Sequence, residues 1–411
     1  MKRTLIASAC LVATCLMAAG AAQAQEKVKI GFITDMSSLY ADVEGKNGAL
    51  AIQMAIDDFG GKVNGMPIEL LQADHQNKAD IAASKAREWI DTQGLTMLFG
   101  GTSSGTALAM AKVAQEKKRV FVVNGAGSSA LTNEQCSPYT VHYAYDTVAL
   151  AKGTGSAVIA RGDKSWYFLT ADYAFGQALE ADASKVVKEK GGTVVGSVKH
   201  PLNTSDFSSF LLQAQNSKAQ VLALAYAGGD TINSIKAAKE FGITKTMKMV
   251  GLLVFVTDVH SLGLKNTEGL LLTTSWDWNL DDKTRAFGKR FFEKTKRMPT
   301  DIQAADYSAT MTYLKAVQAA KTVDADKVME TLKSTPIDDF YAKGSIRRRP
   351  LRARHVPGAG QVAGRIQAAV GLLQGGPEAE GRRGLHDEGR EQVRPLEVIS
   401  RGRLSCGARV R

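Results

Sequence analysis

Gly101-Thr102-Ser103-Ser104-Gly105 places a serine at the centre of a G-x-S-x-G pattern, between an apolar run and a helical one. That pattern can present a nucleophilic hydroxyl on a sharp strand-to-helix turn, the arrangement of a secreted serine hydrolase. Such chemistry needs a base and an orienting acid. The downstream candidates, Asp258 and His260, lie only two residues apart on one segment, and no His-Gly oxyanion motif precedes Ser103. The same residues serve equally as the hydroxyl-rich N-terminus of a helix, where Ser and Thr oxygens meet free N–H groups. Gly125-Ala126-Gly127-Ser128-Ser129-Ala130 imitates a dinucleotide fingerprint, with Asp146 about twenty residues on. The helix that would hold the pyrophosphate does not follow, because Pro138 interrupts a stretch without helical periodicity. The six histidines show neither paired spacing nor Cys partners, so no metal or cofactor is expected. Asp57-Asp58 and Asp281-Asp282 fall at helix ends, where solvation explains them.

Two groups of residues survive these tests. Thr102-Ser103-Ser104 and Gly125–Ser129 are hydroxyl- and glycine-rich and sit at strand ends, where backbone N–H groups favour an anion such as a carboxylate. Tyr40, Tyr173, Phe175, Tyr226, Trp276 and Trp278 are aromatic residues at similar positions. Facing one another across a cleft, these sets would make a pocket with apolar walls and a few polar anchors.

The elements that must position them alternate. Val28–Thr34, Ile68–Gln72, Met97–Phe99 and Val120–Val123 read as strands, with helices at 43–59, 78–93 and 104–117 between them. A second series has strands at Ser165–Thr170, Thr193–Val198, Val221–Ala225, Lys248–Leu253 and Leu270–Thr274, separated by helices at 174–190, 206–217 and 229–241. Helices at 281–297, 302–321 and 325–334 follow. This is an α/β pattern of two parallel-sheet units. No flexible linker separates them, so short crossovers near 141–147 and 271–277 are expected to form a hinge.

The chain has 411 residues and a formal net charge of +11, which would suggest a polyanionic partner were it evenly spread. It is not. Residues 25–344 carry a net +1, whereas 345–411 hold 14 Arg against 6 acidic residues, with no Lys and no aromatic side chain. The Lys residues of the body form no aromatic-interleaved stripe, which argues against nucleic-acid binding. Lys2, Arg3, the apolar run Leu5–Ala19 and Ala22-Gln23-Ala24 form a secretory signal peptide, residues 1–24, cleaved after Ala24. The mature protein is then extracytoplasmic, and Cys136 and Cys406 could pair.

The runs ITDMSSLYADVEGKNGALAIQMAIDD, FGGTSSGTALA, LTADYAFGQALE, NTSDFSSFLLQAQ and GLLVFVTD resemble the branched-chain amino-acid-type periplasmic binding proteins of ABC transporters, over about residues 26–344. The resemblance implies a type I periplasmic binding protein: two Rossmann-like lobes joined by a hinge, 25–142 plus 275–332 as lobe 1 and 143–274 plus 333–344 as lobe 2. It implies a monomer without catalysis that captures a small solute and delivers it to a membrane permease. It further implies ligand contacts from Tyr40, Ser103, Ala126, Gly127, Ser128, Phe175, Tyr226 and Asp230, with the carboxylate on Ser103; Ser104 and Tyr173 join them from the strand-end groups above. The family's amino-acid binders place a Glu where Leu253 stands here. An α-ammonium would therefore need Asp230 or Asp258, and a carboxylate- or amide-bearing solute, aromatic acids included, is expected instead. The match stops at Gly344, and 345–411 reads as an aberrant, disordered Arg/Gly-rich tail, out of frame with the body.

Overall fold

Val28–Thr34 (β1) is apolar on both faces except for Lys29, which suits a strand covered on both sides. In the computed structural model, which describes residues 26–346 and 408–409, β1 lies inside a seven-stranded sheet. Beside it run β2 (Lys62–Val63), β3 (Met66–Asp74), β4 (Met97–Gly100), β5 (Val120–Val123) and β6 (Thr140–His142), in the order β2-β3-β1-β4-β5-β6. All pairings are parallel except β2 with β3. Ala408–Arg409 closes the far edge, parallel to β6, so these two residues depart from the disorder expected of the tail. The expected signal peptide, the rest of the tail and Cys406 lie outside the described residues.

The second sheet has the order β8 (Thr193–His200), β7 (Ser165–Ala171), β9 (Val221–Ala225), β10 (Lys248–Gly251) and β11 (Leu271–Leu272), again parallel. Helices α1 (Gly45–Phe59), α2 (Ala79–Gln93) and α3 (Ser104–Glu116) belong to the first sheet. Helices α4 (Thr147–Ala160), α5 (Ala174–Glu189), α6 (Ser208–Asn216), α7 (Gly229–Glu240) and α8 (Val256–Leu262) belong to the second, followed by the short α9 (Leu264–Thr267). Then α10 (Asp282–Thr295), α11 (Asp301–Ala320) and α12 (Ala325–Ser334) return to lobe 1. There Tyr313, Leu314 and Val317 of α11 pack with Phe32, Phe99 and Val122 in one core.

Among the described residues the chain crosses between lobes twice. Residues 143–146 lead from β6 to α4, whose Leu150, Ala151 and Val158 pack into lobe 2. Residues 273–275 lead back to Trp276, which packs on Phe287 and Phe291 in lobe 1. The Thr154 and Thr273 hydroxyls, 2.5 Å apart, tie α4 to the returning strand.

Two assignments change. Residues 336–338 and 343–345 form an antiparallel hairpin that contributes Ile337 to the lobe 1 core, so 333–344 does not join lobe 2. Helix α4 was not expected, because TVALAKGTGSAVIA is apolar on nearly every side and offers no amphipathic stripe. No helix among the described residues is long and apolar enough to cross a membrane.

Candidate functional site

In both sheets the strand order reverses beside the first strand, between β1 and β4 in lobe 1 and between β7 and β9 in lobe 2. Ligands of open α/β sheets sit at such points, outside the carboxyl ends of the strands. Here the two points face each other. Tyr40 and Val43 follow β1, Thr102–Ser104 follow β4, Gly125 and Gly127 follow β5, and Tyr145 follows β6. From lobe 2 come Tyr173 and Phe175 after β7, Ala227 after β9, and Leu253 with Phe255 after β10. They leave a space of about 20 Å³ between them, near the size of a single water, so a larger solute enters only as the lobes part.

Ser103 is the most constrained residue of this wall. Its φ of 99° and ψ of 125° lie outside the regions open to residues with a side chain, and Gly100 and Gly101 also have positive φ. Strain of this kind costs roughly 1–3 kcal/mol and gathers at functional sites. Ser103 is the N-cap of α3, yet its side chain makes no capping bond to that helix. The start of a 13-residue helix, with its N–H groups and dipole, therefore faces the cleft. Behind it, the Ser104 hydroxyl accepts the Ser128 N–H at 3.0 Å and locks the β5 loop. Gly127 lets two rings lie on its backbone, since a Cβ there would come within 2.8 Å of Phe175 and 2.9 Å of Tyr145.

The lobes meet directly. The Tyr40 hydroxyl donates to the Tyr173 hydroxyl across the cleft at 2.6 Å. Burial pushes the phenols of Tyr40, Tyr145 and Tyr173 up, so all three stay neutral donors. Gly228, with φ +68°, receives the tip of the first loop: a Cβ there would stand 2.8 Å from the Leu39 carbonyl oxygen and 3.0 Å from the Tyr40 ring. Gly228→Ala is expected to keep the lobes apart and weaken solute binding at least tenfold with little change in far-UV circular dichroism. Small-angle scattering of the saturated protein should show an expanded particle; an unchanged radius and affinity would contradict the latch.

Of the sequence-derived site residues, Tyr40, Ser103, Ser104, Gly127, Tyr173 and Phe175 line the space. The others do not. Ala126 is buried in the lobe 1 core with its carbonyl 2.6 Å from His142 Nε2. The Ser128 hydroxyl accepts the Ala130 N–H and caps a short helical turn. Tyr226 is fully buried against His200, their ring centres 4.7 Å apart. The Asp230 carboxylate accepts the Asn203 and Thr204 N–H groups at 3.1 and 3.0 Å, holding a loop, and burial raises it to about 6. Asp258 accepts the Phe255 N–H at 3.0 Å as a helix cap, raised by burial to about 7. Trp276 packs in lobe 1 and donates to the Phe340 carbonyl. Buried polar groups near strand ends are thus shared between the cavity and the scaffold below it.

Thr102 and Gly125 belong to the two loops read from the sequence and Ala227 lies between Tyr226 and Asp230, whereas Val43, Tyr145 and Phe255 were not singled out. No triad forms around Ser103: the Asp258 carboxylate is occupied by the cap and His260 is exposed on α8. Among the described residues no group of three His, Cys, Asp or Glu could hold a metal ion.

Two hinged α/β lobes with a shared cleft at their switch points define a solute-binding protein. The periplasmic binding protein family model matches residues 27–363, and the chain belongs to this family, in its branched-chain amino-acid type serving ABC transporters. That match runs past Gly344, where the motif resemblance ends. A periplasmic binding protein from Burkholderia mallei has a crystal structure 68% identical in sequence, with a TM-score of 0.77, covering 78% of this chain and 86% of its own. A branched-chain amino acid ABC transporter periplasmic ligand-binding protein from Burkholderia xenovorans is 41% identical, with a TM-score of 0.70 and coverage of 79% and 87%. An ABC transporter solute-binding protein from Rhodopseudomonas palustris, in complex with p-hydroxybenzoic acid, is 26% identical, with a TM-score of 0.72 and coverage of 78% and 89%.

Proposed function

We propose that this protein captures a small aromatic carboxylic acid and delivers it to the permease of an ABC importer. The observation that carries the reading is the composition of the cavity wall. Six hydroxyl-bearing residues line it, with Val43, Phe175, Ala227, Leu253 and Phe255, and no lining side chain is charged. A carboxylate would take the Ser103 hydroxyl and the N–H groups at the start of α3, while its ring would lie between Phe175, Tyr145 and Leu253. An α-ammonium would be buried without a partner at a cost of several kcal/mol, since Leu253 occupies the wall and Asp230 and Asp258 are engaged elsewhere. The bound acid of the Rhodopseudomonas relative supports the same class, and the Burkholderia xenovorans relative keeps an amino acid as the competing outcome. The export signal ending at Ala24 and a monomeric state complete the proposal.

Calorimetry with benzoate, 4-hydroxybenzoate and leucine tests it. Micromolar or tighter binding of an aromatic acid is expected, with none for leucine; tight leucine binding without response to the acids overturns it. Ser103→Ala should weaken the acid by roughly ten- to a hundredfold, the range for a hydrogen bond to a charged group. A hydrolase would instead lose turnover of ester substrates.

A further inference from the structure

Directly behind the cavity wall lies a pair of acids that the solute site does not touch. Glu44 precedes α1 and Asp306 lies on α11, both fully buried. Their free oxygens, Glu44 Oε1 and Asp306 Oδ2, are buried and neither meets a hydrogen-bond partner. Two buried carboxyl groups side by side ionise together only at a large cost, so a proton between them is favoured. The site is built for this contact. Gly48 leaves room for it, since a Cβ there would meet Asp306 Oδ2 at 2.6 Å and Glu44 Cγ at 3.0 Å. Asn124 Nδ2 donates to Asp306 Oδ1 at 2.8 Å. On its other oxygen, Glu44 accepts the hydroxyls of Thr34 and Thr102.

Thr102 links the pair to the solute, because it also lines the cavity. A threonine hydroxyl has one proton to donate. When Glu44 is ionised, that proton points inward to the carboxylate and a lone pair faces the cleft. When Glu44 is protonated, the hydroxyl is free to turn and donate outward. We propose that Glu44 and Asp306 form a proton-binding site that fills from solvent as an anionic solute docks on Thr102 and Ser103, so that solute and proton are captured together. This rests on the carboxylate reading of the cavity.

The surrounding charges agree. Burial raises Glu44 to about 7 and holds Asp306 well above the usual carboxylate range, with the Glu44 charge adding to its rise, so the pair exchanges a proton near neutrality. Asp35, on the loop after β1, adds to the rise of Glu44. His75, after β3, is held neutral by burial, down at about 4, and the Tyr145 phenol facing Glu44 stays protonated. Asp301, at the start of α11, is raised by burial and bonded to Ser275. A solute carboxylate beside Thr102 brings one more negative charge, which favours protonation of Glu44.

The experiment is calorimetry of 4-hydroxybenzoate binding to the full chain between pH 6 and pH 8, in phosphate and in Tris, whose ionisation enthalpies differ. The wild type should take up on the order of half a proton per solute at pH 7, and its Kd should weaken roughly tenfold from pH 6 to pH 8. Glu44→Gln should remove both effects, as should Asp306→Asn if Glu44→Gln fails to fold. Binding with equal enthalpy in both buffers and a flat Kd overturns the proton site alone, as does uptake that persists in a folded variant. If no aromatic acid binds at all, the carboxylate reading fails and the proton site with it.

Discussion

Gly176→Ala should be the most damaging single-methyl change at the site. A Cβ at this position would collide with the Ala171 carbonyl oxygen and lie 2.9 Å from that of Ala225, both backbone atoms that cannot turn aside. Relief requires the first turn of α5 to retreat from the carboxyl ends of β7 and β9. Those ends carry Tyr173, Phe175 and Ala227, three of the lobe 2 residues in the wall. Overpacking that forces backbone movement costs about 3 kcal/mol or more, a large part of a domain's stability. Chemical denaturation should therefore give a midpoint well below that of the wild type, and protein that still folds should bind its solute at least a hundredfold more weakly. Gly105→Ala is the matched control: it lies in the first turn of α3, where an added Cβ meets nothing within 4 Å. Helix propensity alone predicts a gain of up to about 1 kcal/mol there. Equal stability of the two variants would show that close packing at Gly176 is not what seats α5.

The same contrast explains how much of the molecule could be read from its sequence. Val120–Val123, Val221–Ala225 and helix 325–334 were legible to the residue, because each is a short uninterrupted pattern between polar stops. Helix α4 was illegible for the opposite reason. Its Leu150, Ala151, Val158 and Ile159 are buried, and so are Gly153 and Gly155 on the intervening turns. Gly155 admits Val186 of α5, whose Cγ1 would stand 3.1 Å from an added Cβ. Glycine that serves close helix packing looks in sequence like glycine that breaks a helix. The hairpin at 336–345 was lost because its three-residue strands fall below any periodicity.

At the site, sequence located strand ends but could not say which polar residue on a given loop turns to the cleft. Ser103 and Ser128 are alike in sequence context, each following a Gly-rich strand end. One has a strained backbone and an uncommitted hydroxyl, and the other caps Ala130. Asp230 and Asp258 similarly have the right charge in the right place, yet backbone N–H groups already occupy them. The departure at Leu253 was the most informative single letter, since it now lies in a wall without charge.

Acidic groups without cationic partners also make stability depend on pH in an unusual direction. Glu44 and Asp258 are both raised to about 7 by burial, whereas an unfolded carboxyl titrates near 4. Between these values the folded state holds protons that the unfolded chain has released, so stability falls as pH rises. His75 and His200 act oppositely, because burial lowers both and they lose stability as pH falls below the usual imidazole range. Above about pH 6.5 the unfolded histidines are neutral too, and the carboxyl trend stands alone. From pH 6 to pH 8, each of the two carboxyls should then cost roughly 1 kcal/mol, together several degrees or less in Tm for a chain of this size. Scanning calorimetry of the solute-free protein should place the highest Tm on the acid side of neutrality, with the steepest decline around pH 7. Glu44→Gln and Asp258→Asn should each flatten that decline by about half, because an amide cannot ionise in the same buried position. A wild-type Tm that climbs from pH 6 to pH 8 would mean that these carboxyls are already ionised in the fold. The proton shared by Glu44 and Asp306 would then be absent before any solute arrives.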